Sequence, residues 1–421
     1  MPERRRVLLA GLGDVYREVG LALEERGAEV QRCEEPDDAA VRDALAEQRP
    51  DVVCLVAPSD ELPLRLALLV RHLDEDVPII ATIFDRSLGA QLREAVPNLE
   101  VTSLADVAVP SLCGPCVEDG LAGVLPGDDE RRPRAVTTGL DRHEMEPPAS
   151  RWARALLTAV FTPYDRSAGL LFYGAIGLVV MLLAETIGAM IVLDQGFPDA
   201  LYGSTKSLAT VGPNDAVAKG PGWFKLAIVA SMLLTLLSAA CFTGGLIDRL
   251  TSKRLTGLVG LNAVPRRDHV VVVGLGQVGL RLATSLRECG LPVVVVEADE
   301  HHESVGHARA AKLPVVIGRG ADPLVLGRLS LDRARALAAV TPDDLTNVEV
   351  AMTARSLADD LRVVLRAGDG EVAQETGSLF RIGHVIDVHR IAAALIASRT
   401  LGGDEDAVVA IDGEPRLLSA T

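Results

Sequence analysis

The chain is predicted to fold as α/β Rossmann-like domains flanking an all-α membrane domain of two helices with a re-entrant loop between them. Three observations carry this. Two long apolar runs occupy the middle of the sequence, a strand–glycine-turn–helix pattern lies near each end, and an internal repeat relates the two ends.

The apolar runs are 168–193, with one charge at Glu185, and 223–247, with one at Lys225. Each can cross ~30 Å of hydrocarbon at ~1.5 Å per residue, and neither has the polar face that a soluble helix of this length needs. Arg151, Arg154 and Arg166 precede the first run, and Arg249, Lys253 and Arg254 follow the second. Positive flanks stay inside, so both termini are expected in the cytoplasm. Segment 151–166 mixes arginines with Trp152, Phe161 and Tyr164, the composition of an amphipathic helix lying along the inner membrane surface.

Composition limits the partners. A net charge of −16 argues against nucleic acid, because phosphate binding needs clustered positive charge. Aromatic residues are only 3%, so the cores must be built from Ala, Val and Leu. The opening MPERRRVLLAGLG has too short an apolar run for a signal peptide, and reduced thiols follow from a cytoplasmic setting. Cys113-Gly-Pro-Cys116 spells a thioredoxin-like motif, but no strand leads into it, so it reads as a chance pair at a helix start.

The expected order is an α/β domain over 1–117, a Gly-, Pro- and charge-rich mobile linker over 118–150, the membrane domain over 151–256, a second α/β domain over 266–403 and a tail over 404–421. An offset of 284 positions lays 55–108 on 339–392 without a gap, while the segment matching KLPVVIGRGADPLVLGRLSLDRA is largely missing from the first copy. Pro58 then meets Pro342, Asp60 meets Asp344, Arg71 meets Arg355, Asp76 meets Asp360 and Asp85 meets Asp369. The halves are copies of one fold.

In the second copy Gly274, Gly276 and Gly279 form G-x-G-x-x-G between the strand 270–273 and a helix opening at Gln277 and Val278. The first glycine permits the turn, the second lets a pyrophosphate approach the backbone, and the third lets helix and strand pack closely. The helix N-terminus supplies N–H donors. Glu297 ends the next strand, where a carboxylate binds ribose hydroxyls and repels a 2′-phosphate. The first copy keeps Gly11 and Gly13 but has Tyr16 at the third position, its second strand is read as ending at Gln31-Arg32-Cys33 rather than at an acid, and Pro63 replaces Asn347. It is therefore expected to be structural or regulatory.

The run GLGQVG…E, then VVIGRGADPLVL, then VTPDDLTN resembles the RCK (regulator of potassium conductance) domain across roughly 130 residues of the second copy. The resemblance implies domains that pair into a cytoplasmic gating ring and a regulatory ligand, which in the family is a dinucleotide, a nucleotide or a divalent ion; here NAD(H) or an adenine nucleotide is expected. It adds Gly318 and Asp322 to the expected ligand site. No hydride acceptor, nucleophile–base pair or metal-ligand set stands out, so no enzymatic activity is expected. His301, His302 and His307 read as a solvated helix start.

Between the spans, FPDALYGSTKSLATVGPND resembles the pore loop of potassium channels. Thr210, Val211, Gly212 and Asp215 match its T-V-G-Y-G-D pattern, while Pro213 and Asn214 replace Tyr and Gly. Four copies would ring a pore with carbonyls that replace an ion's hydration shell, which implies a homotetramer passing K+. Pro213 has no N–H to anchor the outer filter, and Asn214 is expected in a left-handed turn. These departures keep a weakly selective cation channel as the competing reading. A membrane-anchored NAD-binding regulatory subunit of a transporter is another. Glu185 is read either as contacting the pore helix through Lys206 or Ser207, or as lying protonated near the outer surface.

Overall fold

A computed structural model describes residues 4–127, 132–145, 166–209, 212, 214–251, 267–368 and 383–419. The expected interfacial helix lies outside these apart from Arg166, and so do Thr210, Val211 and Pro213. The chain divides into two units: Met1–Ala153 together with Leu258–Thr421, and Arg154–Gly257.

The first copy alternates strand and helix: β1 (Arg6–Gly11), α1 (Asp14–Glu25), β2 (Glu29–Glu34), α2 (Asp38–Glu47), β3 (Val52–Val56), α3 (Glu61–Leu73), β4 (Ile79–Thr82), α4 (Arg86–Ala95), β5 (Leu99–Thr102) and α5 (Leu104–Val117). The strands form a parallel sheet in the order β2-β1-β3-β4-β5. β3, buried throughout, reads as a continuous apolar run because helices cover both faces of the sheet.

Residues 118–150 were expected as a mobile linker, and 404–421 as a tail. Both contain sheet. β6 (Leu121–Leu125), β7 (Arg134–Thr137) and β8 (Arg142–Glu144) form a three-stranded antiparallel sheet. It shares a small core with the hairpin at the chain's end, through Ala122, Leu125, Val136, Val409 and Leu418. A short hairpin cannot bury its own apolar face, so each piece depends on the other.

In the membrane unit, α6 (Arg166–Val192) and α8 (Gly222–Thr251) are long and apolar enough to cross a bilayer, and α7 (Phe197–Leu208) lies between them in sequence. Ile191 and Leu226 are about three-quarters exposed, the opposite of a soluble core helix. The crossing of α6 and α8 needs small residues: a Cβ on Gly174 would lie 2.5 Å from the Phe242 nitrogen.

The second copy comprises β9 (Val270–Val273), α9 (Gln277–Glu288), β10 (Val293–Glu297), α10 (Glu303–Ala310), β11 (Val315–Ile317), α11 (Pro323–Leu326), β12 (Ala336–Ala339), α12 (Asp344–Leu357), β13 (Arg362–Ala367), β14 (His384–Asp387) and α13 (Val388–Thr400). The hairpin β15 (Glu405–Ile411) and β16 (Glu414–Ser419) follows. The parallel order β11-β10-β9-β12-β13-β14 is the doubly wound arrangement with its switch point between β9 and β12.

The repeat is visible in matching hydrogen bonds. The Asp60 carboxylate accepts the Phe84 N–H at 2.7 Å, and Asp344, its counterpart, accepts the Gly368 N–H at 2.9 Å. Arg71 donates to the Glu75 and Val77 carbonyls as Arg355 does to those of Asp359 and Leu361. The copies also exchange helices: α5 packs on α9, and α13 on α1. Arg281 on α9 fixes the first of these contacts, reaching Asp106 and the Phe84 carbonyl, each at 2.7 Å.

Candidate functional site

β9 ends at Val273, and the chain turns through Gly274, whose φ of +99° suits glycine, into α9. A Cβ on Gly279 would lie 1.9 Å from the Gly274 carbonyl oxygen, so turn and helix close on each other only without a side chain there. A Cβ on Gly276 would meet nothing within 4 Å. That open side faces a cavity of about 660 Å³ lined by Gly274, Gly276, Gln277, Val278 and Glu297. A ligand's phosphates can thus approach bare backbone at a helix N-terminus.

Glu297 closes the turn from the neighbouring strand. One carboxylate oxygen accepts the Leu275 N–H at 2.7 Å; the other accepts those of Ala298 at 2.7 Å and Asp299 at 3.0 Å. The far wall comes from β12 and β13. Buried Asn347 accepts the Thr341 N–H at 2.9 Å and donates to the Thr341 and Arg366 carbonyls at 3.0 Å each, fixing two strand ends at once.

Two expected ligand residues do other work. Gly318, at φ +159° beside Val325, and Asp322, which caps α11 through the Leu324 N–H at 2.8 Å, do not line the cavity; Arg319, Gly320 and Ala321 between them do. Sequence reasoning also missed Thr341, Arg366 and His389, and the wall that Pro58, Phe84 and Leu104 contribute from the first copy. His302 caps α10 through the Ser304 N–H.

The first copy differs at the same place. β2 runs on to Glu34, opposite Gly11, so the acid read as missing is present one residue beyond Cys33. What differs is the turn: the Leu12 N–H donates to the Val56 carbonyl at 3.0 Å rather than to an acid. Tyr16 fills the third glycine position, 1% exposed. Cys113 and Cys116 are core residues. Cys113 hydrogen-bonds Cys289, and burial pushes the Cys116 thiol up to about 12, which leaves little thiolate.

In the membrane unit, Glu185 is buried and one of its oxygens accepts the Ser231 hydroxyl at 2.6 Å and that of Ser207 on α7 at 3.3 Å. Lys206 pairs instead with Asp215 at 3.0 Å. Asn214 is not left-handed: its φ is −57°, and its side chain accepts the Ala216 N–H and donates to Gln195 at 2.6 Å. Gly212 holds the positive φ, at 142°.

Residues 270–386 match the family model of the TrkA-N domain. The chain is 22% identical over 201 residues to potassium channel protein 1 of Methanocaldococcus jannaschii, covering 46% of this chain and 60% of that protein. It is 24% identical over 264 residues to the voltage-gated potassium channel Kch of Escherichia coli, covering 59% and 61%. The match thus spans less than two thirds of either relative. In fold, it is similar to the GsuK RCK domain (TM-score 0.53, 17% identity, 95% of this chain and 78% of that one) and to the GsuK channel bound to NAD (0.51, 16%, 95% and 65%). Residues 270–386 are therefore a TrkA-N domain, in a chain similar to proteins named as potassium channels.

Proposed function

We propose that the chain is one subunit of a ligand-gated, potassium-type cation channel, a homotetramer in the cell membrane with both termini cytoplasmic. Its second α/β copy senses a nucleotide, NAD(H) or an adenine nucleotide, and gates the pore. The observation that carries the ligand reading is the open approach to Gly276, which faces the cavity beside Glu297. The channel reading draws on the relatives' names and on a short helix between two spans, followed by a segment with the Thr-Val-Gly pattern. One such loop supplies a quarter of a filter, and two spans cannot enclose a pore, hence the tetramer.

Pro213 and Asn214 favour a second reading, a weakly selective cation pore. Ion flux through the purified protein in liposomes tests both, with potassium, sodium and calcium compared in the presence and absence of NAD+, NADH and ATP. Potassium-preferring flux that changes with nucleotide supports the proposal. Equal flux of potassium and sodium supports the second reading. No flux in any ligand state overturns both and favours a membrane-anchored nucleotide-binding subunit.

A further inference from the structure

The nucleotide cavity contains a cation that the glycine turn does not account for. Arg366 stands one residue beyond Leu365, which pairs with Ala339, which in turn pairs with Val273. It therefore sits level with Gly274 and two strands away, roughly 10 Å at ~4.8 Å per strand. Arg366 is one of the residues lining the cavity.

Three part-buried arginines of this unit have acidic partners, Arg281 with Asp106, Arg362 with Asp119 and Arg399 with Glu100, while Arg71 and Arg355 donate to backbone carbonyls. Among the described residues Arg366 has no such ion pair, and its Nε is buried with no hydrogen-bond partner. Burial lowers its pKa, opposed by the nearby Asp344. The acids around it are committed or in solvent. Asp344 accepts the Gly368 N–H, Asp343 is bonded to Thr346, and Glu349 is exposed. A guanidinium partly withdrawn from water with no direct ion pair is costly, and Arg is suited to phosphate by its planar fork of donors. The repeat pairs Arg366 with Thr82, whose hydroxyl is turned onto the backbone at Leu55 and Ala57, so the charge belongs to the second copy alone.

Resting on the nucleotide reading above, we infer that Arg366 receives an anionic group that the ligand carries beyond the glycine turn. The site then favours an adenine nucleotide with a terminal phosphate over NAD+, whose far half ends in a cationic ring. Glu297 takes the ribose end, the N-terminus of α9 the first phosphates and Arg366 the last.

Calorimetry on the purified full-length protein with AMP, ADP, ATP and NAD+ tests this, for the wild type, Arg366→Gln and Arg366→Lys. The expected result is affinity rising from AMP to ATP, with ATP above NAD+. Arg366→Gln should weaken ATP by about 10- to 100-fold, the loss of one buried charged hydrogen-bond partner, with AMP unchanged. Arg366→Lys should recover part of the loss. Unchanged AMP binding shows that the variant is folded. Equal losses for AMP and ATP, or wild-type NAD+ binding tighter than ATP, would overturn the role of Arg366 alone. No binding of any of the four would overturn the nucleotide reading itself.

Discussion

The Glu297 carboxylate accepts the Leu275 N–H at 2.7 Å, so the acid that ends β10 holds the turn that ends β9. A residue expected to read the ligand's ribose also shapes the loop proposed to read its phosphates. Glu297→Gln keeps an acceptor and removes the charge that repels a 2′-phosphate. The ratio of NADP+ to NAD+ affinity should rise about tenfold or more, measured by calorimetry. An unchanged ratio would show that Glu297 serves only the turn.

Gly276 and Gly279 separate binding from folding. A side chain at Gly276 has open space and an ordinary φ of −71°, so Gly276→Val should fold normally and bind nucleotide at least about tenfold more weakly. Gly279→Ala puts a carbon 1.9 Å from the Gly274 oxygen and should cost about 1–3 kcal/mol of stability. Thermal melts beside binding isotherms distinguish the two.

His269 gives the fold a pH dependence. Burial lowers its pKa to about 4 from 6.5, and its Nε2 lies 2.9 Å from the Leu329 carbonyl oxygen. Between those values the unfolded chain binds the proton and the folded one does not. The contribution of His269 is thus intact above pH 6.5 and lost as pH falls toward 4, roughly 3 kcal/mol in full. Denaturant unfolding from pH 7 to 4 should show a loss that His269→Gln reduces.

Asn214 and Gln195 exchange two side-chain hydrogen bonds, at 2.6 and 3.5 Å, and a Cβ on Gly203 would lie 2.3 Å from the Asn214 amide nitrogen. Asn214 is thus packed against α7, where it can brace the segment after the Thr-Val-Gly run. Asn214→Ala and Gln195→Ala should each reduce the preference for potassium over sodium, and the double variant should lose little more than either, since each removes the same pair of bonds. Reversal potentials in mixed ions measure this. Additive losses would show that the residues act separately.

Much of this was legible because its signals are local. The β9 turn, Glu297 and both spans each lie within about 30 residues of sequence, and their apolar periods match their structures. Glu34 was missed because a strand's last residue has no periodic mark, and one residue decided whether the strand ended in an acid. The three-stranded sheet after α5 could not be read, because Val136 finds its partners at Val409 and Leu418, on the far side of the membrane segment in sequence. Arg366 looked like an ordinary strand residue. Only the fold shows that, among the described residues, it makes no direct ion pair.

The exchange of helices between the copies bears on how the protein is made. α5 is buried along nearly its whole length, Ala105 to Val117, and part of what covers it is α9 and α13 of the second copy. A ribosome adding ~5–20 residues per second needs roughly 15 to 60 seconds to go from the end of α5 to the end of α13. Throughout that interval, in which both long apolar helices are also made, α5 waits without its full set of partners. The first half of this protein is thus made before the helices that complete its core.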